Sequence, residues 1–336
     1  MRRLIALFVL VLTVTPALGQ QSQLRTIEVP ANATWEHAAT TVRLPSRVAG
    51  ATRGSIRDST QQELDVIASY ESHSEGLDVT VYVFKSGLPD VSLWFDRALT
   101  TIRLRPQFGL AEGFAPRIDS YSATSDGPEG LVTAIDLNAA QYRATAVLLL
   151  PLADGWLLKV RMTSSQLGAE PLRARLDTFM REVRLPAGAA SGATPSAIQP
   201  CPQPLRLRRA RVARPDMADA LLGGLMGAAT GLPRDRAVTY CREPGATQLS
   251  GVYRPDGSED SYILALGDGG VALSLSPALT MADLQGGSSR SRAPVAMTLL
   301  DRTRTATWPS FDRLPPPEQA LQALRETAPM VSATRN

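Results

Sequence analysis

One uncharged, low-complexity stretch constrains the fold of this chain more than any other feature. Residues 187–200 read AGAASGATPSAIQP, which offers little apolar surface to bury and carries no charge. This composition is typical of a flexible linker. It predicts an N-terminal domain over residues 20–186 and a C-terminal domain over residues 201–336. Each part is long enough to bury a core of its own.

The first nineteen residues have the organisation of a cleavable signal peptide. Arg2 and Arg3 precede an apolar run over residues 4–14, and the small residues Ala17 and Gly19 follow Pro16. The run is shorter than the roughly 20 residues that a membrane-spanning helix needs. We therefore expect cleavage before Gln20 and a periplasmic, secreted protein. An uncleaved membrane anchor is the alternative.

Charge gives little support for a nucleic-acid partner. The formal net charge is +3 and falls to +1 once Arg2 and Arg3 are removed, so the excess of arginine produces no strong field. No other segment is apolar enough to cross a membrane, and we expect no transmembrane segment in the mature chain. An envelope protein is the partner that an exported chain of this kind would meet.

The two cysteines predict one disulfide. Cys201 and Cys241 are the only cysteines, and an even number in an oxidising compartment favours pairing. Closing a loop of about forty residues would stabilise the fold by roughly 3–4 kcal/mol in the chain-entropy description. A C-x-x-C motif is absent, which favours a structural bond over a redox site.

Hydrophobic periodicity predicts an α+β fold for the N-terminal domain. Apolar residues at helical spacing predict helices over 90–104 and 168–183. Alternating residues predict strands over 41–44, 65–70, 78–84, 120–124, 131–137, 142–152 and 156–163. Asp154-Gly155 is a strong hairpin turn between the last two strands. Together these elements predict an antiparallel sheet with packed helices.

The succession of elements over residues 35–186 resembles that of PsbP-like domains. The resemblance implies an α/β/α sandwich. It also implies a binding or assembly module without an active site of its own. It supplies no ligand residues to carry over to this chain.

The C-terminal domain is predicted to be a second, small α+β domain with a β-meander. Strands are predicted over 205–212, 248–254, 261–266, 271–275 and 295–300, and a helix over 316–325. Turns at 255–257 and 267–270 join the central strands. The Gly/Ala-rich segment 217–231 is interpreted as a small-residue helix or loop inside the domain.

Candidates for catalysis or metal binding are scarce. His37 and His73 are the only histidines, and no G-x-S-x-G or Ser-x-x-Lys motif occurs. The acidic group formed by Asp256, Glu259 and Asp260 offers oxygen ligands for calcium, but a hairpin turn explains it better. We assign no catalytic residue, no metal ligand and no cofactor.

The most conspicuous charge cluster is an arginine patch formed by Arg206, Arg208, Arg209 and Arg211, with Arg214 close behind. On a strand, Arg206 and Arg208 would share one face while Leu205 and Leu207 face the core. The patch can be interpreted as an anion-contacting surface for phospholipid head groups or an acidic protein. We favour the interpretation that it is a solvated strand face, because charge runs usually are.

Taken together, the sequence favours a non-enzymatic periplasmic module that binds or scaffolds a partner. One alternative is a small-molecule or lipid-binding protein, which would have a large apolar pocket. Another is an enzyme of unrecognised class, such as a glycan hydrolase that uses two carboxylates.

Overall fold

The computed structural model describes residues 24–111, 113–123, 127, 129–186, 194–213, 238–278 and 294–334. Its first sheet is antiparallel and has nine strands: β1 (Arg25–Ile27), β4 (Arg47–Val48), β5 (Ala51–Asp58), β6 (Asp65–Ser72), β7 (Leu77–Lys85), β8 (Asp119–Ser122), β9 (Glu129–Asp136), β10 (Ala144–Pro151) and β11 (Trp156–Ser164). The order is β1-β5-β6-β7-β11-β10-β9-β8, with β4 paired to β5. A small separate pair consists of β2 (Trp35–Glu36) and β3 (Arg43–Leu44).

Two helices cover opposite faces of this first sheet. Both α1 (Val91–Arg103) and α2 (Ala169–Glu182) pack against β9 and β10. Along β10, Leu148 belongs to the apolar cluster of α2, whereas the neighbouring Leu149 belongs to that of α1. Successive side chains of a strand point to opposite faces. This explains why β10 reads as a continuous apolar run and not as an alternating one.

The second sheet is a meander of eight strands in sequence order: β12 (Gln199–Pro200), β13 (Tyr240–Arg242), β14 (Ser250–Pro255), β15 (Tyr262–Leu266), β16 (Val271–Pro277), β17 (Val295–Leu300), β18 (Arg304–Phe311) and β19 (Val331–Thr334). Only β12 and β13 pair in parallel. Helix α3 (Pro317–Glu326) packs against one face, where Ala320 lies in the cluster that contains Trp308.

The prediction of an α+β fold with a PsbP-like α/β/α sandwich is wrong. The protein is mostly β, with two large antiparallel sheets and three α-helices in the described part of the chain. Several strands, including β5, β13, β18 and β19, were not predicted. In β5, which reads ATRGSIRD, polar and small residues outnumber large apolar ones, so its alternation is weak.

The main departure from the predicted sandwich is the position of α1, which lies between the two sheets. Its residues Trp94 and Leu99 share one apolar cluster with Tyr253, Ile263 and Leu300 of the second sheet. Eleven of the thirteen residues of α1 are buried. The layers around this helix are therefore sheet, helix and sheet.

Glycine allows the two sheets to touch directly beside α1. The amide of Gly87 donates to the carbonyl of Gly270 at 2.8 Å. A Cβ atom on Gly87 would lie 2.2 Å from the carbonyl oxygen of Leu300, and Gly270 has a φ of +88°. Side chains at either position would force the sheets apart or strain the backbone.

Some predictions concern residues outside the described ranges, namely the signal peptide over 1–19, the segment 217–231 and Arg214. Of the predicted linker, residues 187–193 also lie outside. Its last part packs on α1: the amide of Ser196 donates to the Ser92 hydroxyl at 2.9 Å, and Ile198 is buried. The division into two domains stays a prediction.

The predicted disulfide is confirmed. Cys201 and Cys241 are bonded, and their Cα atoms are 4.8 Å apart. Within the described residues, no helix has the length and apolar character to cross a membrane.

Candidate functional site

Polar residues of α1 face the second sheet and form one ion pair and several hydrogen bonds with it. The buried carboxylate of Asp96 accepts a hydrogen bond from the Tyr253 hydroxyl at 2.8 Å and pairs with the guanidinium of Arg242. Burial raises the pKa of Asp96, although Arg242 and the Tyr253 hydrogen bond act against the rise. Asp96 therefore holds Arg242 in a defined orientation at the edge of the interface.

Next to Asp96, Arg97 is fully buried and binds only backbone carbonyls of the second sheet. Its Nε donates to Gly267 at 2.9 Å, and its Nη2 donates to Thr247 and Gln248, both at 3.2 Å. Its buried Nη1 has no hydrogen-bond partner among the described residues. Carbonyl acceptors do not neutralise a guanidinium, but the carboxylates of Asp96 and Asp268 interact electrostatically with Arg97.

A second ion-pair cluster joins β11 to the turn between β15 and β16, and its Arg161 also donates to the Thr101 hydroxyl of α1. Asp268 lies 2.8 Å from Lys159 and 2.5 Å from Arg161, both on β11. Burial lowers the pKa of Lys159 to about 8, against the attraction of Asp268. Burial also acts to raise the pKa of Asp268, but Lys159 and Arg161 outweigh it and hold that pKa well below its usual value. This cluster joins the two sheets.

The candidate binding site is a cleft of about 470 Å³ at the C-terminal end of α1. We call it the arginine cleft because Arg103, Arg105 and Arg242 line it. The apolar part of its wall comes from Leu104, Pro106, Leu110 and Ala246, among others. Its volume lies in the range of small-molecule sites in proteins, roughly 300–1,000 Å³.

Positive charge is crowded in the arginine cleft. Burial lowers the pKa of Arg103, and repulsion from Arg242 lowers it further. Burial also lowers the pKa of Arg105, with repulsion from Arg161 as the second cause. Within the described residues, neither Arg103 nor Arg105 forms an ion pair. An anion in the cleft would relieve this repulsion and find several guanidinium donors.

The wall beyond α1 is held in place by packing. Phe108 is buried and stacks edge-on against Tyr142, with ring centroids 5.7 Å apart. The guanidinium of Arg105 lies 5.5 Å from the centre of the Phe108 ring. A Cβ atom on Gly109 would lie 2.3 Å from the Asn138 carbonyl oxygen, so this turn fits closely against the sheet. Packing of Phe108 and Gly109 therefore fixes the position of this wall.

The arginine patch predicted from the sequence lies elsewhere, on an extended segment with only an isolated bridge from Val212 to Phe311. Arg206, Arg208, Arg209 and Arg211 are exposed, and none of them forms an ion pair with a described residue. Leu205 and Leu207 pack against the core of the second sheet. The structure does not bring the patch together with the arginine cleft.

The other candidates have structural partners. His37 is fully buried, with Nδ1 2.8 Å from the Thr40 hydroxyl and Nε2 2.8 Å from the Glu63 carbonyl. Its burial was not anticipated from its polar sequence neighbours. Asp256 accepts from the amide and the hydroxyl of Thr239 in a turn. In the part of the chain that the structure describes, no three His, Cys, Asp or Glu residues are grouped to hold a metal ion.

Sequence reasoning missed the arginine cleft altogether. Arg103 and Arg105 follow each other at the end of a predicted helix, but Arg242 is far away in the chain and is marked only by its neighbour Cys241. No local pattern connects them.

No protein family, curated protein or solved structure matches the chain, so the resemblance to PsbP-like domains stays a prediction.

Proposed function

We propose that this chain is a non-enzymatic periplasmic binding protein that takes a small anionic molecule into the arginine cleft. The observation that carries the proposal is the convergence of Arg103, Arg105 and Arg242 on one cleft. Two of these arginines have no carboxylate partner within the described residues, so a negatively charged ligand would complete the site.

Binding fits this cleft better than catalysis. The described lining residues include arginines, one threonine and small or apolar residues, and no carboxylate, histidine or cysteine is among them. A two-carboxylate mechanism of glycan hydrolysis needs an acid and a base that flank the scissile bond. The buried carboxylates of Asp96 and Asp268 are instead engaged by cations at the sheet interface.

Thermal unfolding tests the proposal. Phosphate, sulfate and acetate should raise the melting temperature above that in sodium chloride of equal ionic strength, by about 5 °C at a hundredfold excess over Kd. The double variant Arg103→Gln/Arg105→Gln should lose this increase. The matched control Arg208→Gln/Arg209→Gln removes the same charge from the arginine patch and should retain it. Equal losses in both variants would refute the cleft as the binding site.

Scaffolding through the arginine patch is a second candidate function. Its four guanidinium groups are exposed and have no ion pair with a described residue, which leaves them available to an acidic envelope protein. Crosslinking of the exported protein in cells, with and without Arg206→Gln/Arg211→Gln, would test it. Capture of one acidic protein that the variant loses is the expected result.

Export is part of the proposal as well, and it is supported by the sequence of the first nineteen residues. N-terminal sequencing of the protein recovered from cells should begin at Gln20. A sequence that begins at Met1 would contradict the signal peptide.

A further inference from the structure

The lining of the arginine cleft is of two chemical kinds. Arg103, Arg105 and Arg242 contribute guanidinium groups, and Leu104, Pro106, Leu110 and Ala246 contribute apolar side chains. Leu104 is 40% exposed and is one of four large apolar side chains that the described residues leave exposed. It lies between Arg103 and Arg105 in the chain, so apolar and cationic groups meet at the same point.

A simple inorganic ion would use only half of this surface. It would accept hydrogen bonds from the arginines and leave the apolar wall in contact with water. Each methylene group that a ligand buries against such a wall increases affinity by about fourfold. Ligand pockets generally combine a mostly apolar lining with a few polar groups that fix orientation. The cleft has this combination.

We propose that the ligand of the arginine cleft is one molecule with an oxyanion head, a carboxylate or a phosphate, and an apolar body of several carbon atoms. This inference rests on the proposed function and adds the chemical class of the ligand. The head would be held by Arg103, Arg105 and Arg242, and the body would pack on Leu104 and Leu110.

The molecule is a free solute and not a lipid in a bilayer. The large apolar side chains exposed in the described residues are Leu24, Leu104, Val212 and Leu249, and none of them is aromatic. Surfaces that insert into the membrane interface usually present Trp or Tyr together with a broad apolar face. The cleft instead presents a confined apolar wall next to its charges.

Titration calorimetry with four defined probes tests the inference: inorganic phosphate, octyl phosphate, acetate and octanoate, each below its micellar concentration. We expect octyl phosphate to bind at least about tenfold tighter than phosphate, and octanoate at least about tenfold tighter than acetate. Equal affinities within either pair would overturn the inference and leave the proposed function intact, because the cleft would then recognise the head alone.

Variants of the lining residues test which of them bind the head of the ligand and which bind its apolar body. Leu104→Ser should lower the affinity for octyl phosphate by more than that for phosphate. Arg103→Gln/Arg105→Gln should weaken both probes by about tenfold or more, since a charge-assisted hydrogen bond is lost at each position. Arg208→Gln/Arg209→Gln should change neither. If no probe binds, or if the cleft variants bind the probes with unchanged affinity, both the inference and the proposed function fail.

Sedimentation with vesicles distinguishes a free ligand from a lipid. Vesicles of phosphatidylcholine with a third of phosphatidylglycerol should leave the protein in the supernatant. The assignment to a free solute would be overturned by one result: the protein sediments with the vesicles, Arg103→Gln/Arg105→Gln abolishes this, and free octyl phosphate does not bind.

Discussion

Helices α1 and α2 cover opposite faces of the same sheet and differ in what lies on their far sides. In α2, Leu172, Leu176, Phe179 and Met180 are the buried residues, and the other face is turned to solvent. In α1, burial extends to Asp96, Arg97, Thr100 and Thr101. The second sheet is the cause, since Tyr253 and Arg242 contact this polar side.

The comparison shows that a polar helix face can be an interface. On α2 the boundary between apolar and polar residues coincides with the boundary between core and water. On α1 the polar residues bind carbonyls, a hydroxyl and a guanidinium of the second sheet. Buried polar groups need such partners, because an unsatisfied one costs about 1–3 kcal/mol.

The largest effect should come from the charged contacts between the sheets. Asp268→Ala removes the carboxylate partner of Lys159, whose side chain is only 1% exposed. A buried cation without its partner should lower the free energy of unfolding by about 3–5 kcal/mol. Urea denaturation followed by tryptophan fluorescence measures this. A loss below 1 kcal/mol would mean that water reaches the Lys159 ammonium group in the folded protein.

The apolar interface of α2 should be next in magnitude. Leu176→Ala deletes buried methyl groups from the apolar cluster under α2 and should cost about 2–4 kcal/mol. Its effect should be independent of pH between 4 and 8, because the methyl groups that it removes do not titrate. If the loss of stability caused by Leu176→Ala depended on pH, the two helices would not differ in the way described by their apolar and charged contacts.

The charged contacts between the sheets should weaken in acid, whereas the apolar contacts of α2 should not. The pKa of Asp268 is held well below its ordinary value of 3.8, so the stability it contributes is present above pH 4 and is lost as the pH falls through its folded-state pKa. The stability difference between the wild type and Asp268→Ala should therefore still be present at pH 4 and shrink only below that. Shrinkage that begins at pH 5 or 6 would show that the carboxylate is not protected by Lys159 and Arg161.

The smallest effect should come from a pair at the surface. Glu36 and Arg43 form an ion pair of 2.6 Å with both side chains more than 40% exposed. Glu36→Gln should change the free energy of unfolding by about 0–1 kcal/mol, because water and salt screen the pair. A larger change would imply that the β2–β3 pair contributes more to the core than its exposure suggests.

Periodicity predicted local elements well and their assembly poorly. The spacing of Phe95, Ala98, Leu99 and Ile102 predicts the helix that becomes α1, and the alternation of Val79, Val81 and Val83 predicts β7. Neither pattern says what covers the far side of α1. That information lies in β14 and β15, more than a hundred residues later, and only the folded chain brings it to Asp96.

The arginine cleft could not be predicted for the same reason. Arg103 is the last residue of a helix and Arg105 follows two residues later, at a place where basic residues are expected for electrostatic reasons alone. The arginine patch had the stronger signal in the sequence, because its residues are neighbours in the chain. Arginines that are neighbours in the sequence therefore did not indicate where arginines cluster in the folded protein.

The disulfide ties assembly of the cleft to the redox state of its surroundings. Cys241 directly precedes Arg242, and its bond to Cys201 fastens the parallel pair β12–β13, which has only two residue pairs of its own. While the thiols are reduced, the strand that carries Arg242 lacks this covalent support. Reduction of this bond should therefore loosen the strand that places Arg242 in the cleft, and oxidation should fix it there.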